Sequence, residues 1–408
     1  MTQLHLAVAL DGAGWHPAAW REPTARPADL FTPAYWIDLA QEAEHGLLDF
    51  VTIEDSLTLQ SVRYDGHDER TDQVRGRLDA VLIASRVAPH TRHIGLVPTA
   101  TTTHTEPFHV STALATLDYV SLGRGGWRVQ VGRPHEAPHF GRRPLPALDL
   151  ADLSSPHNQA VLHELFGEAA DAIEVVRRLW DSWEDDAVIR DVTTGRFVDR
   201  DRLHYIDFEG RHFSVKGPSI VPRPPQGQLP VAVLAHSRIP YELAARGADV
   251  VSVTPTDRDD ARRIVAEVRE AERAVGRTGA PLQVWADLVV FLDGEQDRAA
   301  DRKASLDRKA FDREAGATLT SDAAIVVGTP EELAIQLLDW HAAGIDGFRL
   351  RPGVLPHDLR RITSGLVPLL QQAGAFRTRY EASTLRGLLG LPAAPNRYQT
   401  ARPQTVAA

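Results

Sequence analysis

Cysteine is absent from the 408 residues, which excludes disulfides, thiolate nucleophiles, iron–sulfur clusters and cysteine-ligated zinc. Methionine occurs once, and lysine stands only at Lys216, Lys303 and Lys309, so arginine carries nearly all the positive charge. Genome base composition explains that bias more simply than function does. Basic charge is also short overall: the formal net charge is −10, which argues against a general nucleic-acid binder, because phosphate contacts need a basic face. No apolar run approaches the length of a membrane span, and no basic segment precedes the apolar run in MTQLHLAVALDG. A cytoplasmic protein is expected, with no membrane contact. Its chemistry must come from histidine, carboxylates, hydroxyls, arginine or a borrowed cofactor.

What is present is an ordinary globular composition, 43% hydrophobic and 25% charged, in a chain long enough for one large α/β barrel or for two domains. Strand-like runs alternate with helical patterns. The strands are expected at 4–10, 48–53, 93–98, 126–131, 230–235, 249–254, 283–291 and 346–350. Helical stretches lie between them, for example 34–46, 107–120, 160–183, 258–275, 330–343 and 358–373. Eight such units predict a (β/α)8 TIM barrel rather than a Rossmann sheet, since no G-x-G-x-x-G follows the first strand. Residues 1–375 are assigned to the barrel. Within them, the Pro/His/Arg-rich connection 133–158 is too long for an ordinary loop and reads as a lid or mouth. Residues 204–217 alternate around Glu209-Gly210 and read as an appended β-hairpin. Residues 376–408 read as a C-terminal arm whose last residues are disordered.

Catalytic groups of such a barrel sit at the carboxyl ends of its strands. The first strand leads into Trp15, His16, Trp20 and Arg21, the second into Glu54, Asp55 and Ser56, and the fifth into His236, Ser237 and Arg238. The third ends in PTATTTHTEP, residues 98–107, which crowds Thr99, Thr101, Thr102, Thr103 and His104 behind an apolar run. Threonines also favour strands and cap helices, and alone the stretch is better read that way. Taken together, the strand ends suit a flat, hydrogen-bonding, phosphate-bearing ligand: aromatic faces for a ring, hydroxyls and a carboxylate for polar atoms, and a helix start with serine and arginine for a phosphate. Trp15 and Trp20 as core, Asp55 as a cap and Ser237 as an N-cap remain open readings. No metal is expected. Pro107 falls inside the closely spaced group of His104, Glu106 and His109, and no H-E-x-x-H, Walker loop or G-x-S-x-G occurs.

The same positions carry a family likeness. The stretches GWHPAAWREP, FVTIEDS, PTATTTHTEPFHVSTALATLDYVSLGRGGW, VVRRLWDSWEDDA, IDFEGRHFSVKGPSIVPRPPQG, VGTPEELAIQLLDWHAAGIDGFRLRP and FRTRYEASTLRGLLGLP run from Trp15 to Pro392. With them the chain resembles the bacterial luciferase-like flavin monooxygenases, in the branch of nitrilotriacetate and dibenzothiophene-sulfone monooxygenases. The resemblance implies a TIM barrel that takes reduced FMN from a separate flavin reductase and uses it with O2 to oxygenate a small organic substrate. It implies Asp55, Thr99 and Thr101 as flavin contacts, His157 and Ser237 at the flavin tail or phosphate, and His16 and His104 as catalytic histidines near oxygen or substrate. It also implies a homodimer or homotetramer. Anionic substrates would suit Arg133, Arg142 and Arg143, although each could equally face water.

The chain departs from that branch at Leu165 and Phe166, where an Arg-Tyr pair is usual. It also departs at Ala235-His236-Ser237, a shortened phosphate loop, and at Arg128, where asparagine is usual. The insertion before the VGTPEEL helix is nearly absent. Two other readings follow from these departures: a deazaflavin (coenzyme F420)-dependent oxidoreductase on the same barrel, and a flavin-binding protein without turnover.

Overall fold

The computed structural model describes residues 3–399 apart from 62, 64, 65, 67, 134, 150, 151 and 313–315. The end of the C-terminal arm, 400–408, expected to be disordered, lies outside the described residues, as do three positions of the 133–158 connection. Eight parallel strands form a closed barrel: β1 (His5–Leu10), β2 (Phe50–Ile53), β3 (Gly95–Thr101), β4 (Trp127–Gln130), β5 (Val231–Leu234), β6 (Val250–Val253), β7 (Gln283–Leu292) and β8 (Gly347–Pro352). They pair in the order β6-β5-β4-β3-β2-β1-β8-β7, and pairing of β6 with β7 closes the ring. Every expected strand is present within a few residues of its span. The third begins later and runs further than its pattern suggested, so that Thr99 and Thr101 belong to the strand itself.

Helices α1 (Pro33–His45), α2 (Ala80–Val87), α3 (Pro107–Val120), α4 (Pro156–Asp181), α5 (Arg238–Gly247), α6 (Arg258–Ala274), α7 (Gln296–Ala310) and α8 (Pro330–His341) surround it. Leu6, Val8 and Leu10 point outward into the main apolar core beneath these helices, while Ala7 between them points into the barrel. Burial on both faces explains why β1 reads as a nearly continuous apolar run.

Inward side chains stack in layers. At the amino-terminal end Ala7, Phe50, Val97, Val250 and Trp285 form an apolar floor together with Leu385 of the short helix Leu385–Leu388 and Leu389 just after it. A methyl group on Gly95 would stand 2.5 Å from Leu385 Cδ1, so the backbone of β3 must be bare for that leucine to seat. Above the floor the filling turns from apolar to charged, which sets up the site.

Three features lie outside the eight expected strands. The expected hairpin at 204–217 is formed by Phe208–Glu209 and Ser214–Val215. A second hairpin, Val188–Asp191 with Arg196–Val198, was not expected. The third is a short parallel strand, Ala324–Gly328, which pairs with the outer half of β7 at Leu288–Leu292, whereas β6 pairs only with Gln283–Ala286. β7 therefore has two successive neighbours along one edge. The upper seam between β6 and β7 is occupied by the segment that carries Asp322.

Candidate functional site

At the carboxyl end of the barrel lies a cleft of about 550 Å³, floored by buried charge. Asp287, fully buried, is gripped by two arginines from β8. Arg349 Nε donates to Oδ1 at 3.0 Å, and Arg351 Nε and Nη2 donate to Oδ2 at 3.0 and 2.6 Å. Arg349 Nη1 also donates to Glu54 Oε1 at 2.9 Å and to Thr52 Oγ1 at 3.0 Å. Glu54 Oε2 in turn accepts from Arg128 Nη1 at 2.9 Å, and the same nitrogen reaches Thr99 Oγ1 at 3.1 Å. Residues from β2, β3, β4, β7 and β8 thus form one ladder, because inward positions on adjacent parallel strands fall in register.

Burial alone would raise the pKa of Glu54, but the guanidiniums of Arg128 and Arg349 outweigh it and hold the carboxyl below its ordinary range. Asp287 is depressed by the same contest, with Arg349 and Arg351 prevailing over burial. Burial brings Arg128 down to about 10 against the pull of Glu54. Every carboxylate and guanidinium of the ladder is charged at neutral pH.

Around the mouth, Trp15 packs its ring 5.2 Å from the Arg351 guanidinium carbon, and Arg77 Nη2 bonds Asp11 Oδ2 at 2.6 Å. Arg351 Nη1 and Nη2 also meet Asp322 Oδ1 and Oδ2 at 2.6 and 3.1 Å. His236 places Nδ1 2.9 Å from Thr254 Oγ1 and Nε2 3.6 Å from Asp322. Burial lowers the His236 pKa, opposed by Asp322. The next residue, Ser237, is exposed at the N-cap of α5, and its hydroxyl makes no capping bond. That helix start can offer the backbone N–H groups of Arg238 and Ile239 beside the cleft, while Pro240, its third residue, has none.

The structure brings Asp55, Thr99 and Thr101 together, in a second cavity of about 340 Å³ between the ends of β2 and β3 and helices α2 and α3. Asp55 and Ser56 line both cavities. Asp55 accepts from Ala80 N at 2.9 Å and from Ser56 N at 2.7 Å, so it also ties β2 to the start of α2. Burial raises its pKa against those two N–H groups.

The four remaining expected residues lie apart from these. His16 is buried, with Nδ1 accepting from Ala18 N at 3.1 Å and Nε2 bonded to Asp307 of α7 at 3.0 Å. Both ring nitrogens are engaged, and burial lowers its pKa despite Asp307. His104 sits in the left-handed region at φ 67°, its ring edge-on to Phe140 at 5.5 Å and its Nε2 buried without a hydrogen-bond partner. His157 is exposed in the first turn of α4, and Ser237 adjoins the cleft through His236.

The 133–158 connection is anchored on α4 by Leu145 and Leu148 packing with Val131, Val161, Leu165 and Phe166. Leu165 and Phe166, departures at the sequence level, therefore serve an apolar seat for the connection. Where the connection meets the cleft, Glu136 is buried: Oε2 accepts from Arg133 N at 3.0 Å, and Oε1 has no hydrogen-bond partner. The sequence reading missed Asp287, Arg349, Arg351, Asp322 and Glu136. Arg349 and Arg351 were visible as an alternating pair in FRLRP, but nothing local tells an inward arginine from an outward one.

Residues 13–347 match the family described as luciferase-like monooxygenase. Nitrilotriacetate monooxygenase component A of Aminobacter aminovorans is 31% identical, over 95% of this chain and 96% of that one. N-acetyl-S-(2-succino)cysteine monooxygenase of Bacillus subtilis (strain 168) is 30% identical, over 97% and 98%. Among solved structures, riboflavin lyase with modified FMN and its substrate riboflavin superposes with a TM-score of 0.81 at 24% identity, over 96% and 97% of the two chains. That last likeness is one of fold.

Proposed function

The chain belongs to the luciferase-like monooxygenase family, and on that premise we propose that it is a two-component, flavin-dependent monooxygenase acting on a small organic substrate. The observation that carries this reading is the convergence on one cleft of an aromatic face, a floor of paired guanidiniums and carboxylates, and a helix start. Trp15, Arg128, Arg351 and His236 all line a cavity of about 550 Å³, well within the range that holds cofactor-sized ligands. These residues fit FMN. The start of α5, with Ser237 uncapped, suits a phosphate dianion. Arg128 and Arg351 would offer N–H donors to the ligand's polar atoms.

When bound, reduced flavin would supply the two electrons with which one atom of O2 goes to substrate and the other to water. The chain's own residues hold and orient. Asp55, which lines both cavities, would take a polar atom of the ligand, Thr99 would act through Arg128 and Thr101 from the adjoining cavity, and the anchored 133–158 connection would keep water from the reacting atoms. His104 keeps a nitrogen without a hydrogen-bond partner, whereas both nitrogens of His16 are engaged, so of the two His104 is the one we assign to exchange a proton, a role suited to an imidazole. His157 and Ser237 flank the tail and phosphate. The relative from A. aminovorans is named as a component A, and a separate flavin reductase is the partner we assign to this chain. The same reading carries a homo-oligomer in the cytoplasm.

The test is anaerobic titration with reduced FMN, then rapid mixing with oxygenated buffer. Saturable binding and reoxidation slower than that of free flavin are expected. Reoxidation at the free-flavin rate, with no binding, overturns the reading.

A further inference from the structure

Asp322 occupies the outer edge of Arg351 in the cleft. Its two oxygens accept from Nη1 and Nη2 of Arg351 at 2.6 and 3.1 Å, the bidentate geometry that guanidinium offers to carboxylate and phosphate alike. The inner edge of Arg351 is fixed on Asp287 through Nε and Nη2, so its outer edge cannot turn away. The same carboxylate lies 3.6 Å from His236 Nε2, and His236 precedes the uncapped start of the ten-residue helix α5. An arginine fork and an imidazole thus meet on a carboxylate supplied by the chain itself, the imidazole one residue away from the Ser237 N-cap of α5.

The position follows from the fold. Asp322 precedes the outer strand Ala324–Gly328 that enters the β6–β7 seam. Its side chain is 41% exposed, so it can leave the fork without opening the barrel core.

We propose that Asp322 is a built-in competitor for the phosphate of the flavin. It holds the outer edge of Arg351 until a phosphate monoester exchanges with it, which keeps the flavin readily released. This rests on the flavin reading above. A cofactor delivered by another protein must enter and leave, and a charge that weakens only its phosphate end allows exchange without loosening the grip on the ring. The Arg351 pairing holds the Asp322 carboxyl below its ordinary range against the effect of burial, so the competitor is ionised at neutral pH.

The experiment titrates wild type, Asp322→Asn and Asp322→Ala with oxidised FMN and with riboflavin, following flavin fluorescence. Asparagine keeps the shape and removes the charge, while alanine empties the fork. Both variants are expected to bind FMN about tenfold tighter, as for removal of one like charge at partly solvated range, with riboflavin changed by less than about twofold. Parallel changes for the two flavins, or an unchanged FMN-to-riboflavin ratio, overturn the proposal while leaving the flavin reading intact. Failure of every protein to bind either flavin removes both.

Discussion

Arg351 Nε and Nη2 lie 3.0 and 2.6 Å from a single oxygen of Asp287, whose carboxylate is simultaneously held by Arg349. One carboxylate is thereby shared by two buried guanidiniums that rise from alternate positions of β8, with Glu54 and Asp322 as their second partners. Asp287→Ala leaves both without their common partner and is expected to destabilise the fold by about 3–5 kcal/mol, the usual cost of breaking a buried pair from one side. Urea unfolding at pH 7 measures it; a change below about 1 kcal/mol would show that water or Glu54 compensates.

Acid stability carries the same signature. The folded pKa of Asp287 lies below its ordinary value of 3.8, so its stabilisation is fully present above about pH 4 and is lost as pH falls through the folded value. Glu54 behaves alike from its ordinary 4.5. Unfolding free energy attributable to these two groups should be flat from pH 5 to 8 and decline below pH 4. A decline beginning near pH 6 in wild type must come from elsewhere, and His16 is the first candidate.

His16 is held neutral by burial, its pKa lowered from 6.5 although Asp307 opposes the shift. The unfolded chain binds a proton at His16 before the folded one does, so acid costs stability as pH falls from 6.5 to the folded value and no further. His16→Ala should abolish that slope. It should also cost about 1–3 kcal/mol by leaving the Ala18 N–H and Asp307 short of a partner. A variant that folds with wild-type stability yet loses turnover would instead make His16 a catalytic group.

Glu136 offers the opposite sign. Burial raises its pKa above the ordinary 4.5 despite the Arg133 N–H, so ionising it at neutral pH costs stability, and its contribution falls as pH rises from 4.5 through the folded value. Glu136→Gln keeps an acceptor for Arg133 N and removes the charge. Thermal unfolding at pH 7.5 is expected to show a stability equal to wild type or higher by up to about 1 kcal/mol. A clear loss would mean that Oε1 has a partner in solution.

The barrel floor can be tested by a cycle. Leu385→Ala should cost about 2–5 kcal/mol as a buried leucine deletion. Gly95→Ala should be destabilising because its methyl would meet Leu385 Cδ1 at 2.5 Å. In the double variant the methyl enters the space the leucine leaves, so the two costs should sum to more than is measured. Simple additivity would refute the contact.

The eight strands and most of their helices were legible because burial on both faces writes itself into local composition: runs such as LHLAVAL or QVWADLVVF have few other places to go. The placement of Asp55, Thr99 and Thr101 at strand ends was legible for a related reason, since a strand's carboxyl end is set by where its apolar run stops; their part in holding a flavin is a proposal. The strand Ala324–Gly328 was not, because five apolar residues make a strand only when an edge is free to receive them, and that edge of β7 exists only where β6 ends.

The charge ladder marks the same boundary. The sequence by itself determined an α/β barrel without thiols, and it determined which strand ends meet at one mouth, because hydrophobic periodicity and strand order are local and cumulative properties. Only the tertiary structure decided that Glu54, Arg128, Asp287, Arg349 and Arg351 face one another, that both nitrogens of His16 are engaged, and that Asp322 holds the outer edge of Arg351. Inward and outward positions differ by a single residue along a strand, and an arginine is stable in either place if a carboxylate from a distant strand arrives to meet it.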